Sequence, residues 1–318
     1  MTVRVGLVGA GGVGARHART LAAFTDVELV GICDPAAVGE ALAAEVGVPC
    51  VDRLESLLGE RPDAVWLCVP PFAHGEPETA LVRAGLPFFV EKPLAADLPV
   101  AERVAAAVAG AGLPTATGYH WRHLDTVERA RAALTGRPVR LLDARWWGMT
   151  PPPAWWQQER LSGGQIVEQA THLLDLVRVL AGEVAEVTGD TAPSSAEGRD
   201  VPDATAAVLR LESGAVATVS TSCVLPGLTE AGLDVAADGV SVHLTETVLR
   251  MRTRDGELRA EPTVDARWAV DRAFVDVLRG GPAAPGLVDV AEALQTHHLA
   301  WAVAEATRTG STVRVGGP

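Results

Sequence analysis

Over its first third the chain alternates between short apolar runs and longer amphipathic stretches. Val3–Val8, Val27–Cys33, Ala64–Val69, Pro87–Val90 and Pro114–Gly118 are poor in polar positions, the pattern of strands buried on both faces. Between them, the stretches from Gly14 to about Phe24, His74–Ala84 and Asp97–Ala111 read as helices, with Asp97 placed to cap the last. Strand and helix in alternation predict a parallel sheet. From about Tyr119 the pattern changes. Val127–Leu134 reads as a helix and Val139–Trp147 as an alternating strand. Ala204–Leu211 and Ala215–Cys223 follow, joined by Glu212-Ser213-Gly214. Gly232–Ala237, Val240–Thr245 and Val248–Arg254 come next, with Asp238-Gly239 and Asp255-Gly256 as hairpin turns. Consecutive strands on tight turns predict an antiparallel sheet, and helices return at Ala266–Leu278 and Val288–Arg308. The expected fold class is therefore α/β followed by α+β: a Rossmann dinucleotide-binding domain over residues 1–120 and a mostly antiparallel sheet domain over 121–318.

The first strand runs straight into Gly9-Ala10-Gly11-Gly12-Val13-Gly14, and a helix follows. This is the G-x-G-x-x-G pattern in its proper setting. Gly9 allows the tight turn, Gly11 lets backbone approach a pyrophosphate, and Gly14 lets the helix pack close to the strand. The helix N-terminus offers its N–H groups to the phosphates. Asp34 ends the next strand, 20 residues beyond Gly14. A carboxylate there holds both ribose hydroxyls of the adenosine half and repels a 2′-phosphate. No arginine lies between Asp34 and Gly39, so NAD is favoured over NADP. A Rossmann fold with another ligand, such as FAD or a methyl donor, is the alternative. Gly9, Asp34, Pro70 and Lys92 all fall at carboxyl ends of strands, where such sheets bind their ligands.

Composition narrows the function. The net charge of −13 argues against nucleic acid or an anionic membrane as partner. No apolar run is long enough to span a bilayer, and Met1–Ala15 reads better as strand and glycine loop than as a signal peptide. Cys33, Cys50, Cys68 and Cys223 lack metal-ligand spacing, and no metal is expected. Buried free thiols, and with them a cytoplasmic home, are the expectation.

Of the 27 basic residues only Lys92 is a lysine. Arginine is a permanently charged fork, whereas lysine is a compact charge whose proton can move. A lone lysine in Glu91-Lys92-Pro93, at the end of a strand, points to proton chemistry or a single-point contact. A second cluster lies in Gly163–Asp175, which reads as one helix with Glu168 and His172 four residues apart on a shared face. A pocket lining and a solvated face are both open readings of that stripe. Trp146-Trp147 and Trp155-Trp156 flank the stiff Pro151-Pro152-Pro153. Their indoles suit either stacking on a substrate or packing. Arg122 is placed to touch nicotinamide or substrate, or to form a structural ion pair.

Together these features resemble the glucose–fructose oxidoreductase / inositol dehydrogenase (Gfo/Idh/MocA) family over nearly the whole chain. The resemblance is carried by the glycine fingerprint, Val69-Pro70-Pro71 with His74, Glu91-Lys92-Pro93, Gly118-Tyr119-His120-Trp121-Arg122, and the Gly163-Gly164 helix bearing Glu168, His172 and Asp175. It implies a second domain whose sheet is open-faced and mediates homodimers or homotetramers. It implies NAD(P)-dependent oxidation or reduction of a hydroxyl or ketone, usually on a sugar or cyclitol. Lys92 matches the family's catalytic lysine, His172 its general acid/base, and Glu168 a substrate-contacting position that is usually Asp. Pro70, Pro71, His74, Glu91, Lys92 and Arg122 are expected along the cofactor crevice. Tyr119 and Trp155 are expected beside the substrate. Glu168 is one methylene longer than the usual residue, Ala170 stands in place of a usual Gly, and His123 occupies a position where Phe or Tyr is common.

The expected chemistry follows. In oxidation His172 takes the hydroxyl proton while hydride leaves the same carbon, and Lys92 stabilises the charge developing on oxygen. Two other readings stand beside it: a redox-neutral NAD-dependent glycosidase or lyase chemistry, and a non-catalytic nicotinamide sensor.

Overall fold

The structure, a computed structural model, describes residues 2–316. The described chain forms two compact units. The first runs to Ala95 and includes Pro99–His120 and Arg267–Leu294; the second comprises Ala96–Leu98, Trp121–Ala266 and the chain from Gln295 on.

The first unit is built on a six-stranded sheet of β1 (Val3–Val8), β2 (Val27–Cys33), β3 (Cys50–Val51), β4 (Ala64–Leu67), β5 (Phe88–Val90) and β6 (Thr115–Thr117). Their order is β3-β2-β1-β4-β5-β6 and every pairing is parallel. The helices are α1 (Gly12–Ala23), α2 (Ala37–Val46), α3 (Leu54–Gly59), α4 (Glu76–Ala84) and α5 (Leu98–Ala111). The apolar runs lack polar alternation because both sheet faces are covered. Leu7, Trp66 and Phe89 feed one core cluster, while their chain neighbours Val8, Leu67 and Val90 feed another. Strand order reverses between β1 and β4, which places the ligand crevice at their carboxyl ends.

The second unit carries a nine-stranded sheet: β7 (Val139–Trp147), β8 (Val184–Ala192), β9 (Ala204–Leu211), β10 (Val216–Ser222), β11 (Glu230–Ala237), β12 (Val240–Thr245), β13 (Leu249–Thr253), β14 (Gly256–Ala260) and β15 (Val313–Arg314). Its order is β14-β13-β12-β11-β7-β10-β9-β8-β15, antiparallel except where β7 pairs with β10. One face is buried through Leu142, Leu209 and Ala217 under α6 (Asp125–Leu134), α8 (Gly164–Glu168) and α9 (Thr171–Ala181); the short α7 (Glu159–Ser162) precedes α8. The other face leaves Leu141, Val208 and Val216 exposed.

Two features depart from the sequence reading. The expected continuous domain over 121–318 is interrupted, because Arg267–Leu294 returns to the first unit. Helix α10 (Ala266–Leu278) places Val270, Phe274 and Val275 in the same core cluster as Leu7, Trp66 and Phe89. The last helix, α11 (Val290–Thr309), contributes Val290 and Ala293 to a core of the first unit and Leu299 to Ala306 to that of the second. The expected single helix over Gly163–Asp175 is also two. The Ala170 N–H reaches back five residues to the Gln165 carbonyl, which breaks the regular ladder. The four-apart, shared-face argument for Glu168 and His172 therefore does not hold as drawn.

Candidate active site

The glycine loop shows why each glycine is needed. Gly9 has φ +90°, and a Cβ there would lie 2.5 Å from the Cys68 carbonyl oxygen. A Cβ at Gly14 would lie 1.9 Å from the Gly9 carbonyl oxygen. Gly11 and Gly12 are different: a Cβ on either meets nothing within 4 Å. The space above them is open, and α1 starts there with no side chain capping its first amides. Val13 points outward. Open space over uncapped helix amides is what a pyrophosphate requires. Asp34, at the end of β2, accepts the Ala10 N–H at 2.7 Å and the Ala36 N–H at 2.9 Å. Its carboxylate is thus oriented against the loop. These residues fit a dinucleotide: the start of α1 would hold its phosphates and Asp34 its adenosine ribose.

At the carboxyl end of β4, Pro70 precedes a 3₁₀ turn over Pro71–Ala73. His74 follows and is buried, its Nδ1 2.5 Å from Glu78 Oε1, while Glu78 Oε2 accepts the Gly75 N–H at 2.6 Å. His74 thereby stabilises the start of α4. Tyr119, expected on the substrate side, is buried in the first unit's core with Phe88 and Val288. Its aromatic ring fills that core and is not offered to solvent.

Glu91 and Lys92 follow β5 directly. Glu91 is buried and engaged: Oε1 is 2.9 Å from His17 Nε2, and Oε2 accepts the Lys92 N–H at 3.0 Å. His17 sits on α1, and its Nδ1 lies 2.7 Å from Asp271 Oδ1 on α10. Trp66 Nε1 donates to that same oxygen at 2.9 Å. Burial works against a charged ring at His17, but Asp271 and then Glu91 outweigh it and raise its pKa to about 9. Burial likewise pushes the Glu91 carboxyl up, yet His17, Lys92 and Arg16 hold it down at about 2. Glu91, expected on the cofactor side, is engaged in this internal network. The half-buried Lys92 is what the network supports.

In the second unit, Arg122 forms a two-pronged pair with Asp175, Nε to Oδ2 at 2.8 Å and Nη2 to Oδ1 at 2.6 Å. Thr296 Oγ1 donates to Asp175 at 3.0 Å and accepts from Arg178 at 2.8 Å. Arg122 is thus a member of a structural ion pair. His172 is buried beside two indoles, 6.2 Å from the Trp121 ring and 6.2 Å from the Trp146 ring, with planes tilted 15° and 19°. Glu168 accepts a hydrogen bond from Trp156 Nε1 at 2.8 Å. Trp156 is buried with Val201 and Cys223, and the partly buried Trp155 packs against that cluster. The tryptophan-rich loop therefore includes a residue that orients Glu168.

Sequence reasoning missed His17 and Asp271, and it read Trp156 as a stacking or packing indole, not as the donor to Glu168. His17 lies three residues past Gly14, a position where a polar side chain on the inward face of α1 was the available signal. Asp271 lies 254 residues from His17 and has no local signal at all.

Residues 3–119 match the oxidoreductase family with an NAD-binding Rossmann fold, and residues 133–246 match the Gfo/Idh/MocA C-terminal domain. A myo-inositol dehydrogenase of Streptomyces leeuwenhoekii is 32% identical over 303 residues, 90% of each chain. A myo-inositol 2-dehydrogenase of Thermotoga maritima is 29% identical over 236 residues, 69% of this chain and 68% of the relative. Among solved structures, a levoglucosan dehydrogenase in complex with NADH covers 100% of both chains with a TM-score of 0.90 at 19% identity. At that identity the likeness speaks for the fold. With both halves matched and a full-length relative at this identity, the chain belongs to the Gfo/Idh/MocA family of oxidoreductases, with an NAD-binding Rossmann fold in its first domain.

Proposed function

We propose that this protein is an NAD-dependent dehydrogenase or ketoreductase acting on the CH–OH or ketone carbon of a sugar, cyclitol or similar polyol. The observation that carries this reading is the 32% identity to a myo-inositol dehydrogenase over 90% of both chains. Gly9, Gly11, Gly12 and Gly14 with the start of α1 would hold the pyrophosphate, and Asp34 the adenosine ribose. The Asp34 carboxylate, tied to Ala10 and with no arginine before Gly39, supports NAD over NADP. When bound, the nicotinamide supplies the hydride chemistry.

The chain's own residues supply position and protons. In oxidation His172 takes the proton of the reacting hydroxyl, and in reduction it returns one. Lys92 donates a hydrogen bond to the same oxygen and stabilises negative charge building there. Glu168 accepts a hydrogen bond from a neighbouring substrate hydroxyl, its carboxylate steadied by Trp156. Trp155 offers an indole edge to the sugar. All four cysteines are free thiols, which supports a reducing, cytoplasmic compartment. No helix among the described residues is long and apolar enough to cross a membrane. Leu141, Val208 and Val216 on the uncovered sheet face support a homodimer or homotetramer through that sheet.

The test begins with titration of NADH and NADPH by tryptophan quenching, followed by a polyol and ketosugar screen on nicotinamide absorbance. Tighter NADH, and turnover on a polyol that falls about 10²–10⁴-fold in Lys92→Met and His172→Ala, are expected. Binding of neither cofactor, or undiminished turnover in Lys92→Met, overturns the reading.

A further inference from the structure

A buried cluster of ionisable groups adjoins Lys92 through Glu91. His17 and Asp271 are each about 1% exposed, and Glu91 is 6% exposed. Three ionisable groups share one apolar interior, lined by Phe89 against the His17 ring and by Trp66. Moving charges out of water costs several kcal/mol per ion, and apolar side chains of the same volume serve stability as well or better. What a hydrogen-bonded cluster of this kind can add is a fixed geometry.

The geometry it fixes is visible. Both His17 nitrogens face carboxylates, at 2.7 Å and 2.9 Å, so both carry protons and the ring is an imidazolium. Charged and titratable groups face it from several elements, Lys92 among those acting on Glu91. Asp271 comes from α10, Glu91 from the end of β5, and Arg16 of α1 adds its guanidinium 3.5 Å from Glu91. Cys68, past the end of β4, completes the ring of titratable groups, its thiol pushed well up by burial and then by Glu91 and Asp271. The Glu91 carboxylate packs directly against Gly118. A Cβ at Gly118 would lie 2.5 Å from its carboxylate atoms, so the side chain fills the space that a glycine leaves. Its second oxygen holds the Lys92 N–H.

We propose that His17, Asp271 and Glu91 form a positioning device for Lys92, in which Glu91 anchors the Lys92 backbone and His17, gripped by Asp271, ties that anchor to the phosphate-binding helix α1. This rests on the reading of Lys92 as the group that touches the reacting oxygen. None of the three touches substrate. They act by setting where the chain leaves β5 and therefore where the ammonium points. Pre-organisation of this kind matters because small misplacements of a catalytic group cost large factors in rate.

A chain with one lysine makes the test direct. Labelling with ¹⁵N-lysine gives a single backbone amide signal, that of Lys92, with no assignment needed. His17→Gln and the milder Asp271→Asn are compared with wild type. Amide shift and hydrogen exchange are read by NMR, NADH affinity by titration, and kcat and KM on a confirmed polyol. The expected result is a displaced signal and at least about tenfold faster exchange in both variants. A kcat lower by about 10–100-fold should accompany it, with KM and NADH affinity within about threefold of wild type. If His17→Gln does not fold, Asp271→Asn carries the comparison alone. An unmoved, equally protected Lys92 amide in a folded variant overturns the proposal, whatever the substrate screen returns. A displaced amide with unchanged kcat overturns the link to catalysis. Failure to find any redox activity in wild type counts against the enzyme reading and leaves the amide measurement as the test of the anchor.

Discussion

Raising the pH through the titration of His17 is expected to weaken the first unit. The ring's pKa rises from 6.5 to about 9 on folding, as Asp271 and Glu91 outweigh burial. The folded value is the higher, so the stabilisation is fully present below about pH 6.5 and is lost as pH climbs through about 9. At 1.36 kcal/mol per unit, the shift corresponds to about 3 kcal/mol. With a urea slope of about 3 kcal/mol per molar, the midpoint of the first unit should fall by about 1 M between pH 6.5 and 9.5. Asp271→Asn removes the partner that contributes most to the rise. It should unfold at lower urea at pH 6.5 and show a flatter pH curve. Glu91 works at the other end: its folded pKa is depressed to about 2, so its contribution holds above about pH 4.5 and fades as pH falls through 2. The measurement is a set of urea curves read by intrinsic fluorescence and circular dichroism at four pH values. Parallel curves for wild type and Asp271→Asn from pH 6.5 to 9.5 would refute the reasoning.

Two further predictions rest on single contacts. Trp156→Phe keeps the ring in its buried cluster but deletes the N–H that holds Glu168. A hydrogen bond to a charged acceptor is worth about 1.5–3 kcal/mol, so KM for a confirmed polyol should rise about tenfold or more with NADH affinity unchanged; an unchanged KM sinks the role given to Trp156. The loop glycines should separate cleanly. Gly14→Ala drives a Cβ to 1.9 Å from backbone that cannot turn aside, and should lower the melting temperature. Gly11→Ala meets no protein atom within 4 Å, and should keep the melting temperature while weakening NADH binding about tenfold; equal NADH affinity would mean the open space is not where phosphate lies.

Much of this architecture was legible because its causes are local. The glycine loop, Asp34 and the apolar strands of the first sheet follow from turn chemistry and from strands buried on both faces. Hairpin turns at Asp238-Gly239 and Asp255-Gly256 announced the antiparallel sheet, and β11, β12 and β13 lie where they placed them. Other elements left weak traces. Strand β8 mixes Glu186, Thr188, Gly189 and Asp190 with valines, and its pairing with β9 rather than its own pattern makes it a strand. The break between α8 and α9 has neither proline nor glycine to mark it, only a displaced backbone bond at Ala170.

By itself the sequence determined the cofactor fold, the singular lysine at the end of β5 and the acid and histidine that follow the Gly163-Gly164 pair. Each of these depends on neighbours within a few residues, where spacing translates directly into geometry. Only the tertiary structure decided how those groups are held. It brought Asp271 to His17 across 254 residues, set Glu91 against Lys92's own backbone, and paired Arg122 with Asp175. It also turned Trp156 toward Glu168. The physical reason is that a buried charge or polar group must find a partner wherever the fold supplies one. Which partner that is depends on how distant segments pack, and periodicity along the chain carries no record of it.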